Sequence, residues 1–290
     1  MTDKDLTDRK FYRAEQETRF VEEAPLGTPQ TEHPAYKLAF RDEDFMLRDE
    51  LRPVRFQLEL LKPEMLLDEA RVGSTMVMYG SARIPSPEAA QAKIDAAKDG
   101  SEYDQKVAAR LAEKSKYYEE AYKLARMVSE KAIIEDGKRQ FVVTTGGGPS
   151  IMEAGNRGAS DAGAESIGLN IILPHEQAPN TYVTPYLSLN FHYFALRKMH
   201  FLLRARAVAV FPGGFGTFDE FFELLTLIQT GKMKPIPILL FGKDFWSRVI
   251  DLEALAEEGT ISKKDLDLFQ WCETADEAWT HISAFYDLDQ

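Results

Sequence analysis

The sequence contains a single cysteine, Cys272, so no disulfide can form within the chain. No cysteine and histidine residues have the spacing of a metal site, and we expect neither a metal nor another cofactor. No stretch approaches the roughly 18 apolar residues of a membrane helix, and the first residues lack the apolar core of a signal peptide. These absences predict a cytoplasmic protein with no membrane partner.

Positive charge is also scarce, because 35 Lys and Arg residues face 47 Asp and Glu residues and the formal net charge is -12. An acidic chain without a run of Lys or Arg binds nucleic-acid phosphates poorly, so we expect no nucleic-acid partner. The charge balance still permits a local basic pocket for one small anion. The length of 290 residues and the 44% apolar content allow a sizeable core in one large or two ordinary domains.

The composition changes along the chain. Residues 1–42 are polar and charged and predict a loosely ordered arm. Residues 43–70 have helix-like apolar spacing, and Pro53 and Pro63 predict that it is broken into short helices. We therefore predict an N-terminal arm with short helices over residues 1–70 and a separate domain over residues 71–290.

Short apolar runs in the second part predict strands. They lie at residues 75–79, 141–145, 166–173, 187–191, 207–211, 236–241 and 268–272. Most are apolar throughout, as expected for parallel strands covered on both faces. Amphipathic stretches alternate with them, among them a stripe from Tyr117 to Ala132, a surface excursion at 86–115 and a final helix opened by a capping box at 274–277. The pattern predicts an α/β fold, a Rossmann-like doubly wound parallel sheet of about seven strands with an N-terminal helical extension.

Two predicted strands end in glycine-rich turns, at residues 142–159 and 211–220. Neither matches a dinucleotide fingerprint, because Ile151 and Asp219 occupy the third glycine position, and neither contains the Gly-Lys-Ser/Thr of a P-loop. Backbone N–H groups at a glycine turn and a helix N-terminus can nevertheless bind a single phosphate. Such turns lie at the carboxyl ends of strands, where open α/β sheets bind ligands.

A purely structural explanation of the second turn is also open. Thr217 and Glu220 have the spacing of a capping box with Thr217 as the N-cap residue. The glycines of both loops could serve only tight turns or close packing of helix on strand. The presence of two such loops in one sheet favours a binding function.

The second glycine loop contains "PGGFGTFDE" at 212–220, and an arginine–lysine pair, Arg197-Lys198, lies upstream of it. The chain also contains "YGSAR" at 79–83 and "LPHE" at 173–176. Together with the first glycine loop, these segments resemble the Lonely Guy family of cytokinin riboside 5'-monophosphate phosphoribohydrolases, which has a P-G-G-x-G-T-x-x-E motif and an Arg-Lys pair at the matching spacing. The resemblance extends over about residues 72–286 and is strongest to larger bacterial members, which are often labelled "possible lysine decarboxylase".

The resemblance implies that a nucleoside 5'-monophosphate, AMP or an N6-modified AMP, is hydrolysed to free base and ribose 5-phosphate. It implies Arg197 and Glu220 as the catalytic pair. The substrate-binding residues carried over are Glu176, Lys198, Gly213, Gly214, Gly216, Thr217 and Thr226. Ser81, Arg83 and Gly147, in the other matching segments, are further candidates. The resemblance also implies a homodimer or a higher homo-oligomer.

Some residues depart from the family pattern. Phe201 replaces a methionine, Arg206 an aspartate and Ser150 a common glycine, which bears on the choice of base more than on the reaction. We assign the 5'-phosphate to residues 213–217 and the ribose or the water to Glu220. The sequence leaves open whether Arg197 contacts the phosphate, Glu220 or the base.

Three other functions are weighed against this one. Molybdenum-cofactor carrier proteins resemble the family in fold and bind an anion without turnover, but the Arg-Lys pair together with Glu220 favours an enzyme. A second alternative is a broad-specificity nucleotide nucleosidase regulated through residues 1–70. Lysine decarboxylation is disfavoured, because no lysine stands in a context suited to a pyridoxal phosphate Schiff base.

Overall fold

The computed structural model of the chain describes residues 11–23, 27–131, 133–174 and 178–288. Its contacts divide the chain into two units, Met1–Arg55 and Phe56–Gln290. The domain limits predicted at residues 70 and 71 remain a prediction. None of the helices in the described part of the chain has the combination of length and apolar character needed to cross a membrane.

The first unit contains short helices. They are α1 (Ala14–Glu23), α2 (Pro29–Glu32) and α3 (Glu43–Met46), with 3-10 turns at Pro34–Tyr36, Ala39–Arg41 and Asp49–Leu51. Polar side chains begin two of them: Thr28 caps α2 in a capping box, and Asp42 caps α3 by accepting from the N–H of Phe45. Helices α1 and α2 lie within residues 1–42, for which the sequence predicted a loosely ordered arm, whereas α3 lies in the stretch 43–70 for which it predicted short helices.

Helix α4 (Arg52–Glu69) is continuous, and the predicted break at two prolines is wrong. Pro53 lies in the first turn, where a missing N–H is tolerated. Pro63 cannot donate to the carbonyl of Glu59, four residues earlier. That carbonyl oxygen instead lies 3.0 Å from Nε2 of His200, which must donate because a carbonyl only accepts. A tertiary contact thus replaces the hydrogen bond that Pro63 removes.

The strands are found where the apolar runs predicted them, with one additional hairpin. They are β1 (Thr75–Tyr79), β2 (Ile134–Glu135), β3 (Lys138–Arg139), β4 (Val142–Thr145), β5 (Ile167–Ile171), β6 (Ser188–Phe191), β7 (Ala205–Val210), β8 (Ile238–Phe241) and β9 (Gln270–Cys272). Among the described residues, seven of these form one parallel sheet of order β6-β5-β4-β1-β7-β8-β9. The predicted fold class is confirmed. The small β2–β3 hairpin was missed, although Asp136 and Gly137, both with positive φ, supply its turn.

Helices cover both faces of the sheet. The remaining ones are α5 (Pro87–Ala96), α6 (Glu102–Ala112), α7 (Ser115–Glu130), α8 (Ile151–Asp161), α9 (Phe194–Leu203), α10 (Phe215–Gln229), α11 (Lys243–Val249), α12 (Leu252–Glu257) and α13 (Ala275–Tyr286). Alternate side chains of β1 enter two separate cores: Met76 and Met78 pack with α7, α8 and α13, whereas Val77 and Tyr79 pack with α9 and α10. The predicted stripe of α7 is buried as far as Val128, Ala132 lies outside the described residues, and the capping box of α13 is confirmed.

Strand β1 occupies the point where the chain reverses its direction across the sheet, with β4 on one side and β7 on the other. Ligands of open α/β sheets bind in the crevice at such a point. The loops that follow these strands are joined there: the N–H of Ser81 donates to the carbonyl of Pro212 at 3.1 Å, and its own carbonyl accepts from Ile151 at 3.4 Å. The topology therefore brings both glycine loops to one edge of the sheet.

Candidate active site

A cavity of about 830 Å³ opens at this edge, a size within the range of small-molecule sites. The predicted site residues that line it are Ser81, Arg83, Arg197, Gly214, Gly216, Thr217 and Glu220. The loop after β1 and the start of α10 form two of its walls, and Arg197 reaches it from α9. The structure thus brings together residues separated by up to 140 positions in the sequence.

Helix α10 begins without a side-chain cap. Its N-cap residue is Gly214, so Thr217 lies inside the first turn and the capping box predicted at 217–220 is wrong. The first N–H with a helical acceptor is that of Phe218, which donates to the Gly214 carbonyl at 3.0 Å. The preceding helical N–H groups, of residues 215–217, have no acceptor within the helix. Together with the helix dipole, they form a suitable site for an anion at the cavity wall.

The glycines of the second loop have different physical roles. A Cβ at Gly213 would lie 2.1 Å from the hydroxyl oxygen of Thr217, so this position must be glycine for the helix start to pack as it does. A Cβ at Gly214 or Gly216 would meet no atom within 4 Å. The fold does not require those two glycines, and their small size leaves room for a ligand beside the free N–H groups.

Arg197 is held by contacts on three sides. Its Nε donates to the carbonyl of Leu169 at 2.7 Å, its Nη1 donates to Oε1 of Glu220 at 3.1 Å, and its guanidinium lies 4.9 Å from the ring centroid of Phe201. Only 9% of the side chain is exposed. Arg197 is therefore not part of a solvated helix face.

Two neighbouring features fix the position of this arginine. The carboxylate of Glu59, on α4, accepts from the N–H groups of His192 and Tyr193 at 2.8 and 3.1 Å, which anchors the start of α9. A Cβ at Gly146 would lie 2.6 Å from Nη2 of Arg197, so the first glycine loop closes over the guanidinium. Neither Glu59 nor this role of Gly146 was predicted, because both depend on contacts between distant segments.

Glu220 is the buried carboxyl group of the site, with 13% of its side chain exposed. Burial raises its pKa, Arg197 opposes the rise through charge and a hydrogen bond, and the resulting pKa is about 7. Desolvation therefore outweighs the ion pair. A carboxyl group with a pKa near neutrality can exchange a proton during a reaction at neutral pH.

Four of the predicted residues in the described part of the chain do not line the main cavity: Gly147, Lys198, Gly213 and Thr226. Nζ of Lys198 forms ion pairs with Asp219 at 3.0 Å and Glu223 at 3.2 Å. Its pKa is raised, because these two carboxylates more than offset the opposing effect of burial. Thr226 lies further along α10, beside a separate cavity of about 80 Å³, and its hydroxyl donates to the carbonyl of Phe222. Substrate binding by Lys198 and Thr226 remains a prediction.

The first glycine loop is held from within the protein. Gly147 is buried, has a φ of +73°, and donates its N–H to Thr145 Oγ1 at 3.0 Å. Asn156 is fully buried and its Oδ1 accepts from Thr145 and Asn180, so its side chain supports the loop and does not line the main cavity. Ser150 has a φ of +68°, a conformation that favours glycine, and its hydroxyl donates to the Ile84 carbonyl.

Other predictions fall elsewhere. Glu176 lies outside the described residues. Tyr79 is buried in the core, whereas Phe215 is 96% exposed at the cavity rim. Met152 and Val249 line the cavity and were not predicted. The position of Met152 directly after the first glycine loop could have revealed it, whereas Val249 has no sequence signal. Within the described ranges, no three His, Cys, Asp or Glu side chains come together as a metal site would require.

Comparisons with known proteins agree with these motifs. Residues 152–282 match the family model described as "Possible lysine decarboxylase", a range that contains Arg197 and Glu220. The chain is similar to the cytokinin riboside 5'-monophosphate phosphoribohydrolase LOG2 of Arabidopsis thaliana. The two are 26% identical over 152 residues, which cover 51% of this chain and 67% of the plant protein.

Solved structures give weaker likenesses. The X-ray structure of TM1055, a structural genomics target, is 19% identical with a TM-score of 0.43 and covers 73% of this chain and 99% of its own. The molybdenum cofactor carrier protein of Chlamydomonas reinhardtii is 14% identical with a TM-score of 0.39 and the same coverage. The fold assignment rests on the strand order described above.

Proposed function

We propose that the chain is a Lonely Guy family enzyme that hydrolyses nucleoside 5'-monophosphates. Its motifs, the family model and the plant relative support this proposal. The products are the free base and ribose 5-phosphate, and AMP or an N6-modified AMP is the expected substrate. The observation that carries the proposal is the buried Arg197–Glu220 pair in a cavity that also contains the uncapped N-terminus of α10.

The helix sets the distance between the two ends of the substrate. The 5'-phosphate accepts from the N–H groups of residues 215–217. Glu220 lies three residues beyond Thr217 and both line the cavity. At a rise of 1.5 Å per residue, Glu220 is about 4–5 Å further along the axis, a separation on the scale of a ribose ring. Phosphate binding at one end thus orients the C1' carbon near the carboxylate.

The reaction breaks the bond between C1' and the base nitrogen, and the electron pair leaves with the base. The sugar becomes oxocarbenium-like, and the negative charge of Glu220 stabilises it. A water oxygen then bonds to C1', and Glu220 accepts the proton that the water loses. The departing base takes up one proton from solvent and Glu220 releases its proton to solvent, which restores the carboxylate. A pKa of about 7 makes Glu220 an effective base at neutral pH.

Arg197 acts through Glu220 in this scheme. Its guanidinium is committed to Glu220 and to the Leu169 carbonyl, so we assign it the positioning of the carboxylate rather than phosphate binding. The charge of Arg197 also keeps a larger fraction of Glu220 ionised than burial alone would allow. The sequence left three partners of Arg197 open, and of these Glu220 is the one to which Arg197 donates a hydrogen bond.

The test measures base release by chromatography from AMP, GMP, CMP, IMP and an N6-prenylated AMP. We expect Glu220→Gln to lower the rate by about 10²–10⁴-fold, because the amide can neither accept the proton nor carry the charge. Glu223→Gln is the matched control: it lies one turn further along α10, pairs with Lys198 and should retain activity near that of the wild type. The ranking of the five nucleotides identifies the preferred base.

Other outcomes point to the alternatives. If no nucleotide releases base but AMP still raises the melting temperature, the chain is a binding module. Equal loss in Glu220→Gln and Glu223→Gln would contradict the assigned role of Glu220. A stable absorbance band near 420 nm after addition of pyridoxal phosphate would revive the decarboxylase function that the sequence disfavours.

Regulation through the N-terminal region and homodimer formation belong to the same proposal. Removal of residues 1–51 is a suitable truncation, because α4 begins at Arg52 and its Glu59 holds α9 in place. An altered rate or base preference after truncation supports regulation, and unchanged kinetics contradict it. The mass of the purified chain by analytical ultracentrifugation tests the dimer.

A further inference from the structure

A second cleft, of about 490 Å³, adjoins the main cavity. Ser81, Arg83 and Gly214 line both, so the two spaces meet at the glycine loop where we place the 5'-phosphate. This cleft contains none of the residues that the proposed reaction assigns to catalysis. Its lining therefore needs a separate explanation.

Five basic side chains line this cleft in a chain whose net charge is -12. They come from three segments: Arg83 from the loop after β1, Lys106, Arg110 and Lys114 from α6 and the residues after it, and Arg248 from α11. Lys106 and Arg110 lie one helical turn apart on α6. Cations from separate segments that converge on one concave surface concentrate positive potential there.

Few carboxylates balance these charges. Arg110 pairs with Glu113 at 3.2 Å, an exposed contact of little energetic weight. Within the part of the chain that the structure describes, the side chains of Arg83, Lys106 and Arg248 have no ion pair or hydrogen-bond partner. The cleft therefore presents cationic groups that are available to a ligand.

The cations also disfavour one another. The pKa of Lys114 is lowered, first by burial and further by Arg110 and Arg248, against the opposing effect of Glu113. Its Nζ donates to the carbonyl of Arg110 at 2.6 Å, which holds it at the cleft. A bound anion would relieve this repulsion, because an opposite charge favours the protonated lysine.

We propose that this cleft binds the phosphate groups of a phosphorylated small molecule, in addition to the 5'-phosphate bound at α10. The apolar part of the lining, which includes Tyr103, Val107 and Phe245, suits the organic portion of that molecule. The phosphates belong either to the nucleotide itself, extended beyond its 5'-phosphate, or to a second molecule. The proposal rests on the proposed function only for the position of the 5'-phosphate.

The experiment titrates inorganic pyrophosphate into the full chain by isothermal calorimetry. We expect the Lys106→Ala/Arg248→Ala variant to bind pyrophosphate at least about tenfold more weakly than the wild type, because two charge-assisted contacts are lost. Lys263→Ala/Lys264→Ala is the matched control: it removes two exposed charges that line neither cavity and should bind as the wild type does. The other three basic side chains of the cleft remain in the Lys106→Ala/Arg248→Ala variant, and a thermal melt verifies that both variants fold.

Competition identifies the source of the phosphates. If ADP displaces pyrophosphate and AMP does not, the groups extend from the nucleotide; if neither displaces it, they belong to a second molecule. Both results support the binding of phosphate groups in the second cleft. Displacement by AMP would mean that pyrophosphate occupies the 5'-phosphate site, and it would overturn the proposal, as would absent binding or equal affinity in the Lys106→Ala/Arg248→Ala variant.

The same titration separates this proposal from the enzymatic one. Glu220→Gln should bind pyrophosphate with unchanged affinity, because its carboxyl group lines the main cavity and not the cleft. Pyrophosphate binding without base release from any nucleotide would refute the enzyme and leave the anion cleft standing. Base release without pyrophosphate binding would refute the anion cleft and support the enzyme.

Discussion

The buried carboxyl group of Glu220 should make the stability of the chain depend on pH in a characteristic direction. Its pKa rises from the ordinary value of 4.5 to about 7 on folding, because burial disfavours the charged form. Between those values the folded chain holds a proton that the unfolded chain has released. The contribution of Glu220 to the free energy of unfolding is therefore fully present below pH 4.5, and it is lost as the pH rises through 7.

The magnitude follows from the same pKa change. Moving the pKa from 4.5 to about 7, at 1.36 kcal/mol per pH unit, corresponds to about 3 kcal/mol. A Glu220→Gln variant lacks this titration. It also leaves Arg197 without its charged partner, but the guanidinium stays protonated throughout, so that cost is nearly independent of pH. The free energy of unfolding of the wild type minus that of the Glu220→Gln variant should thus fall by about 3 kcal/mol from pH 4.5 to 8.

Urea unfolding at several pH values from 4.5 to 8 measures this difference. Tryptophan fluorescence is a suitable signal, because Trp246, Trp271 and Trp279 all lie in the unit Phe56–Gln290, which contains the site. Every other titrating group is shared by the two proteins and largely cancels in the subtraction. Glu223→Gln serves again as the control, and its difference from the wild type should not show this fall.

Two results would contradict a raised pKa of Glu220. A difference that stays constant within about 0.5 kcal/mol would mean that Glu220 titrates alike in the folded and unfolded chains. A difference that rises with pH would mean that Arg197 lowers the pKa of Glu220 more than burial raises it. If the fall is found, base release should increase with pH around a midpoint near 7, since the proposed reaction needs the ionised carboxylate.

Three further outcomes are expected. Gly146→Ala should lower kcat/KM for base release by about tenfold to a hundredfold at an almost unchanged melting temperature, because its Cβ would displace the guanidinium of Arg197; a wild-type rate would contradict this. His200→Leu should reduce the free energy of unfolding by about 1–3 kcal/mol, because the Glu59 carbonyl loses its donor, and an unchanged urea midpoint would refute that role. Cys272, 1% exposed and with its pKa raised to about 12 by burial, should react with a disulfide reagent only after unfolding in urea, so rapid labelling of the native chain would be inconsistent with its burial.

The sheet was predictable because its strands have both faces covered. A parallel strand between two helical layers is buried on both faces and therefore mostly apolar, so the run itself marks the strand with little dependence on its neighbours. β1 and β4 illustrate this, since each is buried along its whole length. The β2–β3 hairpin was missed because its residues are mostly exposed and no apolar run marks them. Its Asp136–Gly137 turn was the available signal.

The sequence-based prediction of α4 was wrong because a side chain from a distant segment stabilises the local structure there. Pro63 is a helix breaker by every local rule, yet α4 continues because His200, 137 positions away, satisfies the Glu59 carbonyl. The contact between Arg197 and Glu220 likewise joins two helices, and no periodicity in the sequence specifies it. Motif resemblance named both residues of that pair, but only the fold assigns Arg197 to Glu220 and the Leu169 carbonyl.

The second glycine loop shows why a cap and an anion site are hard to tell apart in a sequence. Both use glycine, threonine and a carboxylate near the start of a helix, and the difference lies in the residue at which the helix begins. Here it begins at Phe215, so Thr217 is one turn too late to be a cap and the N-cap position is held by Gly214, which has no side chain. The lack of a side-chain cap is not unusual in this chain, because α7, α8 and α9 also begin without one. The open end of α10 lies at the wall of the main cavity, where the proposed 5'-phosphate would satisfy its N–H groups.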